Sequence, residues 1–168
     1  FAGQLFINTT SAIASGQVSV SFNGTVANGI ALQTTRAQNN SAFAVFIRSD
    51  GTTIGSVTQN AASTVSYSTS SDYRLKENVV AIPDGISRVK QLQPKRFNFI
   101  VDADTTVDGF IAHEAQTVVP ESVTGVKDGE EMQGMDHSKL VPLLTAALKE
   151  VIAEVETLKS EVAALKAG

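Results

Sequence analysis

Leu144, Leu148, Val151, Val155, Leu158, Val162 and Leu165 follow one another at spacings of four and three without a break. That is the period of a coiled-coil seam, and it commits the end of the chain to a helix with one apolar stripe. With Leu148, Val155 and Val162 at a and Leu144, Val151, Leu158 and Leu165 at d, Glu154 and Glu161 fall at g. Lys159 and Lys166 fall at e of the following heptad, and g-to-e′ complementarity of this kind favours parallel association of identical chains. The mixture of Val and Leu in the seam does not choose between two strands and three.

The opposite end has another character. Among the first seventy residues the only Lys, Arg, Asp or Glu are Arg36, Arg48 and Asp50. Alternating apolar and polar side chains predict short half-buried strands at Gln4–Ile7, Gln17–Phe22 and Ala42–Arg48. Asn23-Gly24 and Asn28-Gly29 are turn signals, and Ser49-Asp50-Gly51-Thr52 predicts a hairpin from Phe43–Arg48 into Thr53–Val57. This segment is expected to be all-β. Residues 59–70 are small and polar, with no Pro or Gly, and read as an extended connector exposed enough to be cut.

Charge returns abruptly at Ser70-Ser71-Asp72-Tyr73-Arg74-Leu75-Lys76-Glu77-Asn78. A lysine that has lost its proton can act as base toward a serine hydroxyl, and Ser71 and Lys76 are a candidate pair of this kind. Their spacing is awkward. In a strand they would lie roughly 16 Å apart on opposite faces. On an α-helix they would be separated by about 7.5 Å along the axis and well round the cylinder. The pair therefore needs a bend between its members, or a lysine from another subunit. The bland alternative is that Ser-Asp ahead of a charged stretch is a helix N-cap.

Between these landmarks lies a small α+β sequence. Asp84 is placed to cap a helix over 85–92 with Ile86, Val89 and Leu92 on its buried side, ended by Pro94. Arg96–Val101 reads as a strand and Asp102-Ala103-Asp104 as its turn. Those two carboxylates invite a calcium reading, but no Gly and distal Glu complete the loop, so a solvated turn is expected. Gly109-Phe110-Ile111-Ala112-His113-Glu114 predicts an apolar strand delivering His113 and Glu114 to its end, then a short helix from Ala115 to Val119 before Pro120. Glu114 is a candidate charge partner for Lys76 or Arg74. Asp128-Gly129 predicts a hairpin between Val123–Lys127 and Glu131–Asp136.

Ser-Asp-x-Arg-Leu-Lys-x-Asn, then Gly-Phe-Ile-Ala-x-Glu, then a C-terminal helix resembles the self-cleaving intramolecular chaperone domain at the end of phage endosialidases, tailspikes and tail fibres. The resemblance runs from Ser71 to the C-terminus. It implies a cut between Ser70 and Ser71, with Ser71 as nucleophile, Lys76 as general base and a homotrimer as the assembled state. Asp72, Arg74 and Glu114 match the motifs in supporting roles: Asp72 to orient Lys76 or cap a helix, Arg74 to clamp a carboxylate or help hold an oxyanion. Many relatives carry Gln at the position of His113, which argues against a catalytic base there. The family often has Tyr at the position of His137.

With net charge −4, a basic surface for nucleic acid is not expected, and the absence of cysteine removes disulfides and thiolate metal sites. No metal, cofactor or membrane insertion is expected, since His113 and His137 are far apart and no apolar run reaches a span's length. The chain starts at Phe1 without a signal-peptide pattern and is expected to be a piece of a longer protein.

The expected architecture is a β-rich N-terminal fibre segment over 1–70, a small α+β body over 71–140 and a parallel coiled-coil helix over 141–168. The expected function is a trimerisation chaperone of a virion tail fibre or tailspike, assembled in the host cytoplasm and released by a single autoproteolytic turnover. A host-surface receptor is a candidate partner through the β region. The rival reading is a non-enzymatic trimeric fibre tip or adhesin whose helix only oligomerises it.

Overall fold

In a computed structural model of the chain, residues 32–33, 41–60 and 63–167 are described, and the strands expected at Gln4–Ile7 and Gln17–Phe22 lie outside them. The chain divides into two units, Phe1–Glu77 and Asn78–Gly168.

In the first unit, strands β1 (Ala42–Ile47), β2 (Thr53–Asn60) and β3 (Thr64–Thr69) form an antiparallel meander in the order β1-β2-β3. The β1–β2 turn is where the sequence places it. Gly51 has φ +85°, and Asp50 accepts hydrogen bonds from the Thr52 amide and the Arg48 guanidinium. The connector expected over 59–70 is corrected in part: Thr64–Thr69 pairs along its whole length with β2, from Asn60↔Thr64 to Gly55↔Thr69. Thr-Val-Ser-Tyr-Ser-Thr is rich in β-branched and aromatic residues, which suit a pleated surface even where nearly all carry a hydroxyl. Gly55 is needed for that pairing, because a Cβ there would meet the Ser68 carbonyl oxygen at 2.9 Å.

The second unit is built around the helix α3 (Leu140–Ala167), 28 residues long. Its first turns bury Leu140, Leu143 and Ala147, and Leu140 and Leu143 join Val118 and Val119 in the core. Val89, Leu92, Phe110 and Met135 pack around that cluster. The helix α1 (Gly85–Val89) lies against α3 so closely that a Cβ on Gly85 would reach the Ala147 amide nitrogen at 2.4 Å. Asp84 precedes α1 but its side chain does not cap it. The Glu150 carboxylate on α3 accepts from the Gly85 and Ile86 amides instead, at 2.7 and 2.8 Å. Two otherwise orphaned donors and the positive end of the helix are thus satisfied from a residue far along the chain.

Strands β4 (Lys95–Phe99) and β5 (Asp102–Gly109) form an antiparallel hairpin. The turn falls at Ile100 and Val101, not at Asp102–Asp104, which open β5. Cross-strand bonds fix this register: Arg96 pairs with Asp108, and Asn98 donates to the Ala103 carbonyl and the Thr106 hydroxyl. The helix α2 (Ala112–Gln116) starts earlier than expected, so His113 and Glu114 sit within it and not at a strand end. Strand β5 ends at Gly109, and the Ile111 carbonyl already accepts from the Glu114 and Ala115 amides. A 3-10 turn opens on Pro120, and β6 (Val123–Thr124) pairs with β7 (Gly134–Met135) around the Asp128-Gly129 turn. Only two residue pairs of that predicted hairpin form a ladder.

Beyond the contact with α1, α3 leaves its heptad stripe in water. Leu144, Leu148, Val151, Val155, Leu158, Val162 and Leu165 are all exposed. Among the described residues no helix is long and apolar enough to cross a membrane.

Candidate active site

The bend that the Ser71–Lys76 spacing requires is a single 3-10 turn, Tyr73–Leu75. Such a turn rises less and winds tighter than an extended segment, so its flanking residues approach one another. The Leu75 amide donates to the Asp72 carbonyl and the Lys76 amide to that of Tyr73, both at 3.1 Å. Extended backbone resumes at Lys76, with φ −127° and ψ 141°. Asn78, at φ 53°, then turns the chain again, in a region that Asn tolerates better than most residues.

Asp72 is the N-cap of the turn. Its carboxylate accepts from the Arg74 amide at 2.9 Å and from the Arg74 guanidinium at 2.9 and 2.8 Å. The guanidinium hydrogen bond, with the amide hydrogen bond second, holds the Asp72 carboxyl below its ordinary value, and the same pairing raises Arg74. Of the two roles open to each residue, the geometry gives Asp72 the cap and Arg74 the carboxylate clamp. The fork is planar and bidentate, which a lysine at position 74 could not reproduce.

This turn closes the pair. Lys76 Nζ donates to Ser71 Oγ at 2.8 Å within the chain. The same line of approach serves proton transfer in the other direction once the amine is neutral. Ser70, Ser71, Asp72, Arg74 and Lys76 are all exposed in the single chain. Ser70 is tied to the sheet at the end of β3: its amide donates to the Ile54 carbonyl at 3.2 Å and its hydroxyl to the Thr53 carbonyl at 3.0 Å.

Within its own unit Glu114 is ion-paired with Lys95, at 3.6 Å, and within the other Arg74 is paired with Asp72. Glu114 Oε2 is shielded from water yet has no hydrogen-bond partner, which leaves an acceptor to be satisfied. His113 lies beside it on α2, and the His137 ring packs at 6.3 Å from Phe110. Lys95 and the Glu150 cap were not singled out from the sequence. Their partners are brought to them by tertiary packing, which no local spacing announces.

A Ser/Lys pair closed by a capped turn stands in the chain ahead of a small α+β body and a long helix. Residues 71–124, about a third of the chain, match a family model that carries a peptidase's name and is described as chaperone of endosialidase. The segment from Ser71 to Thr124 is similar to that chaperone family. The match begins at the serine of the pair and takes in Asp72, Arg74, Lys76 and Glu114; Ser70, the three-stranded sheet and α3 lie outside it. No curated protein matches the chain.

Proposed function

We propose that residues 71–168 act as a trimerisation chaperone at the end of a phage tail fibre or tailspike and release themselves by autoproteolysis between Ser70 and Ser71. The observation that carries the catalytic part is the 2.8 Å contact between Lys76 Nζ and Ser71 Oγ. Neutral Lys76 takes the hydroxyl proton as Ser71 Oγ attacks the carbonyl carbon of Ser70 through a five-membered ring. The C–N bond breaks, the Ser71 nitrogen takes up the proton, and an ester joins Ser70 to the Ser71 side chain. Water then hydrolyses the ester, leaving a carboxylate on Ser70 and restoring the Ser71 hydroxyl. Attack within a chain so connected is worth roughly 7–11 kcal/mol of barrier when the groups are well oriented. Asp72 and Arg74 shape the turn, and Glu114 supports the body of the domain through Lys95.

Lys76 is exposed in the single chain, and on this reading neighbouring chains cover the site before it cuts. The exposed α3 stripe supplies the means of assembly: parallel helices bury it, with Glu154 and Glu161 facing Lys159 and Lys166 of a neighbour. Bringing chains into register lowers the cost of non-local β pairing upstream. Loss of the chaperone after folding leaves a fibre whose stability is kinetic. The setting is a virion fibre assembled in the host cytoplasm, with receptor binding left to the β region or the parent fibre.

A denaturing gel of the wild type beside Ser71→Ala and Lys76→Ala tests this. Two bands are expected from the wild type and one from each variant, all three having the same oligomeric state before denaturation. Normal cleavage of Lys76→Ala would remove the lysine from its role, and an uncut, fully assembled wild type would favour the non-enzymatic fibre tip.

A further inference from the structure

The Ser71–Lys76 contact fixes one side of the Ser70–Ser71 bond. The other side is fixed by the sheet. Ser70 continues the β3 register by one residue, its amide on the Ile54 carbonyl and its hydroxyl on the Thr53 carbonyl. Strand β3 is an edge strand in the described sheet, so its seating rests on β2 alone. The seam is intolerant of bulk at Gly55, where an added Cβ would press on the Ser68 carbonyl. The compact unit that holds the sheet runs on through Glu77 and so includes the whole catalytic turn.

We propose that Thr53 and Ile54 of β2 position the scissile carbonyl through Ser70, so that the cut proceeds only when β3 is seated on β2. This rests on the reading of Ser70–Ser71 as the bond that is cut. An intramolecular attack gains its rate from holding both reacting atoms at once, and a loosened carbonyl side forfeits part of it even with the dyad intact. The upstream sheet is thereby a component of the cleavage site. The order of events follows: the last strand before the chaperone pairs first, and the chaperone is detached afterwards. The new Ser70 carboxylate stays with the sheet, and the Ser71 amine leaves with the chaperone.

The test is the time course of intact mass for the assembled wild type, Ser70→Ala, Ser70→Thr and Gly55→Ala, each checked for oligomeric state. Ser70→Ala removes the bond to Thr53 and is expected to slow cleavage about five- to tenfold, the scale of one hydrogen bond. Ser70→Thr keeps a hydroxyl and is expected to stay within about twofold of wild type. That rescue is what a merely structural role for the side chain would not require. Gly55→Ala alters neither reacting residue yet is expected to slow the cut more than Ser70→Ala does. Should Gly55→Ala fail to assemble, the Ala and Thr variants at position 70 decide alone. Wild-type rates in Ser70→Ala would overturn the positioning role while leaving self-cleavage standing. An uncut wild type in the same experiment would overturn the cleavage reading and this inference with it.

Discussion

At the scale of the residue, the Asp72–Arg74 pair does its work through the turn it caps. Both side chains are in water, so their mutual attraction is screened and adds little as an ion pair alone. What it does is geometric: the carboxylate also accepts the Arg74 amide and holds a 3-10 turn that would otherwise be one conformer among many. Asp72→Ala is therefore expected to slow self-cleavage roughly fivefold, with Asp72→Asn closer to wild type because it retains an acceptor for the amide. The pH sign follows from the depressed Asp72 carboxyl. A carboxyl whose folded value lies below its unfolded value stabilises the turn above the ordinary carboxylate range, and that support is lost as pH falls through the depressed value. The Arg74 amide resonance, followed by NMR in the uncut Ser71→Ala chain, should hold steady from neutral pH down to about 5 and move only in more acid solution. A midpoint at or above the ordinary aspartate value would contradict the clamp.

At the scale of the element, the sequence was read well where one local signal decides and poorly where partners are remote. The β1–β2 hairpin was legible because Asp50-Gly51 is turn chemistry flanked by alternating strands. Strand β3 was missed because its side chains are nearly all hydroxylated, and its partner strand is what makes it a strand. The aspartates at 102 and 104 mimicked a turn, whereas Ile100 and Val101, fully or almost fully exposed, are the turn. Register bonds outweighed local preference there. Asp84 looked like the cap of α1, but Glu150 does the capping across the domain. Glu150→Ala should cost about 1–3 kcal/mol in thermal or denaturant unfolding, the scale of charged hydrogen bonds to partly buried amides. Glu150→Gln should cost less. Gly85→Ala should be worse tolerated than an exposed glycine change, since α1 must then move away from the α3 backbone.

At the scale of the whole molecule, α3 carries two apolar faces with different jobs. Leu140, Leu143 and Ala147, with Glu150 beyond them, hold the domain body, and this face fades after the first turns. The heptad stripe begins at Leu144 and runs to Leu165, and its residues are exposed in the single chain. The heptads were the clearest sequence signal, while the second face could be seen only once α1 was placed against it. Replacing Leu148 and Val155 together by Asp puts charge in the seam and spares the inner face. This double variant is expected to sediment as a monomer where the wild type sediments as a larger species, and to remain uncut because its dyad stays in water. A monomeric variant that still cleaves at the wild-type rate would separate the chemistry from assembly.

The Ser71–Lys76 contact was legible because both residues lie within one short motif. Ser71 and Lys76 needed only a bend, and the turn that provides it is written in Asp72 and Arg74 between them. Lys76 of the same chain lies within reach of the serine, and the spacing leaves a neighbour's lysine open beside it. The anchoring of Ser70 was not legible, because it depends on where β3 pairs.

The most direct measurement is the intact mass of the purified, assembled wild-type chain. The predicted result is two species, residues 1–70 and residues 71–168, with Ser71→Ala giving only the full-length chain. A single species of 168 residues in a fully assembled wild-type sample would contradict it.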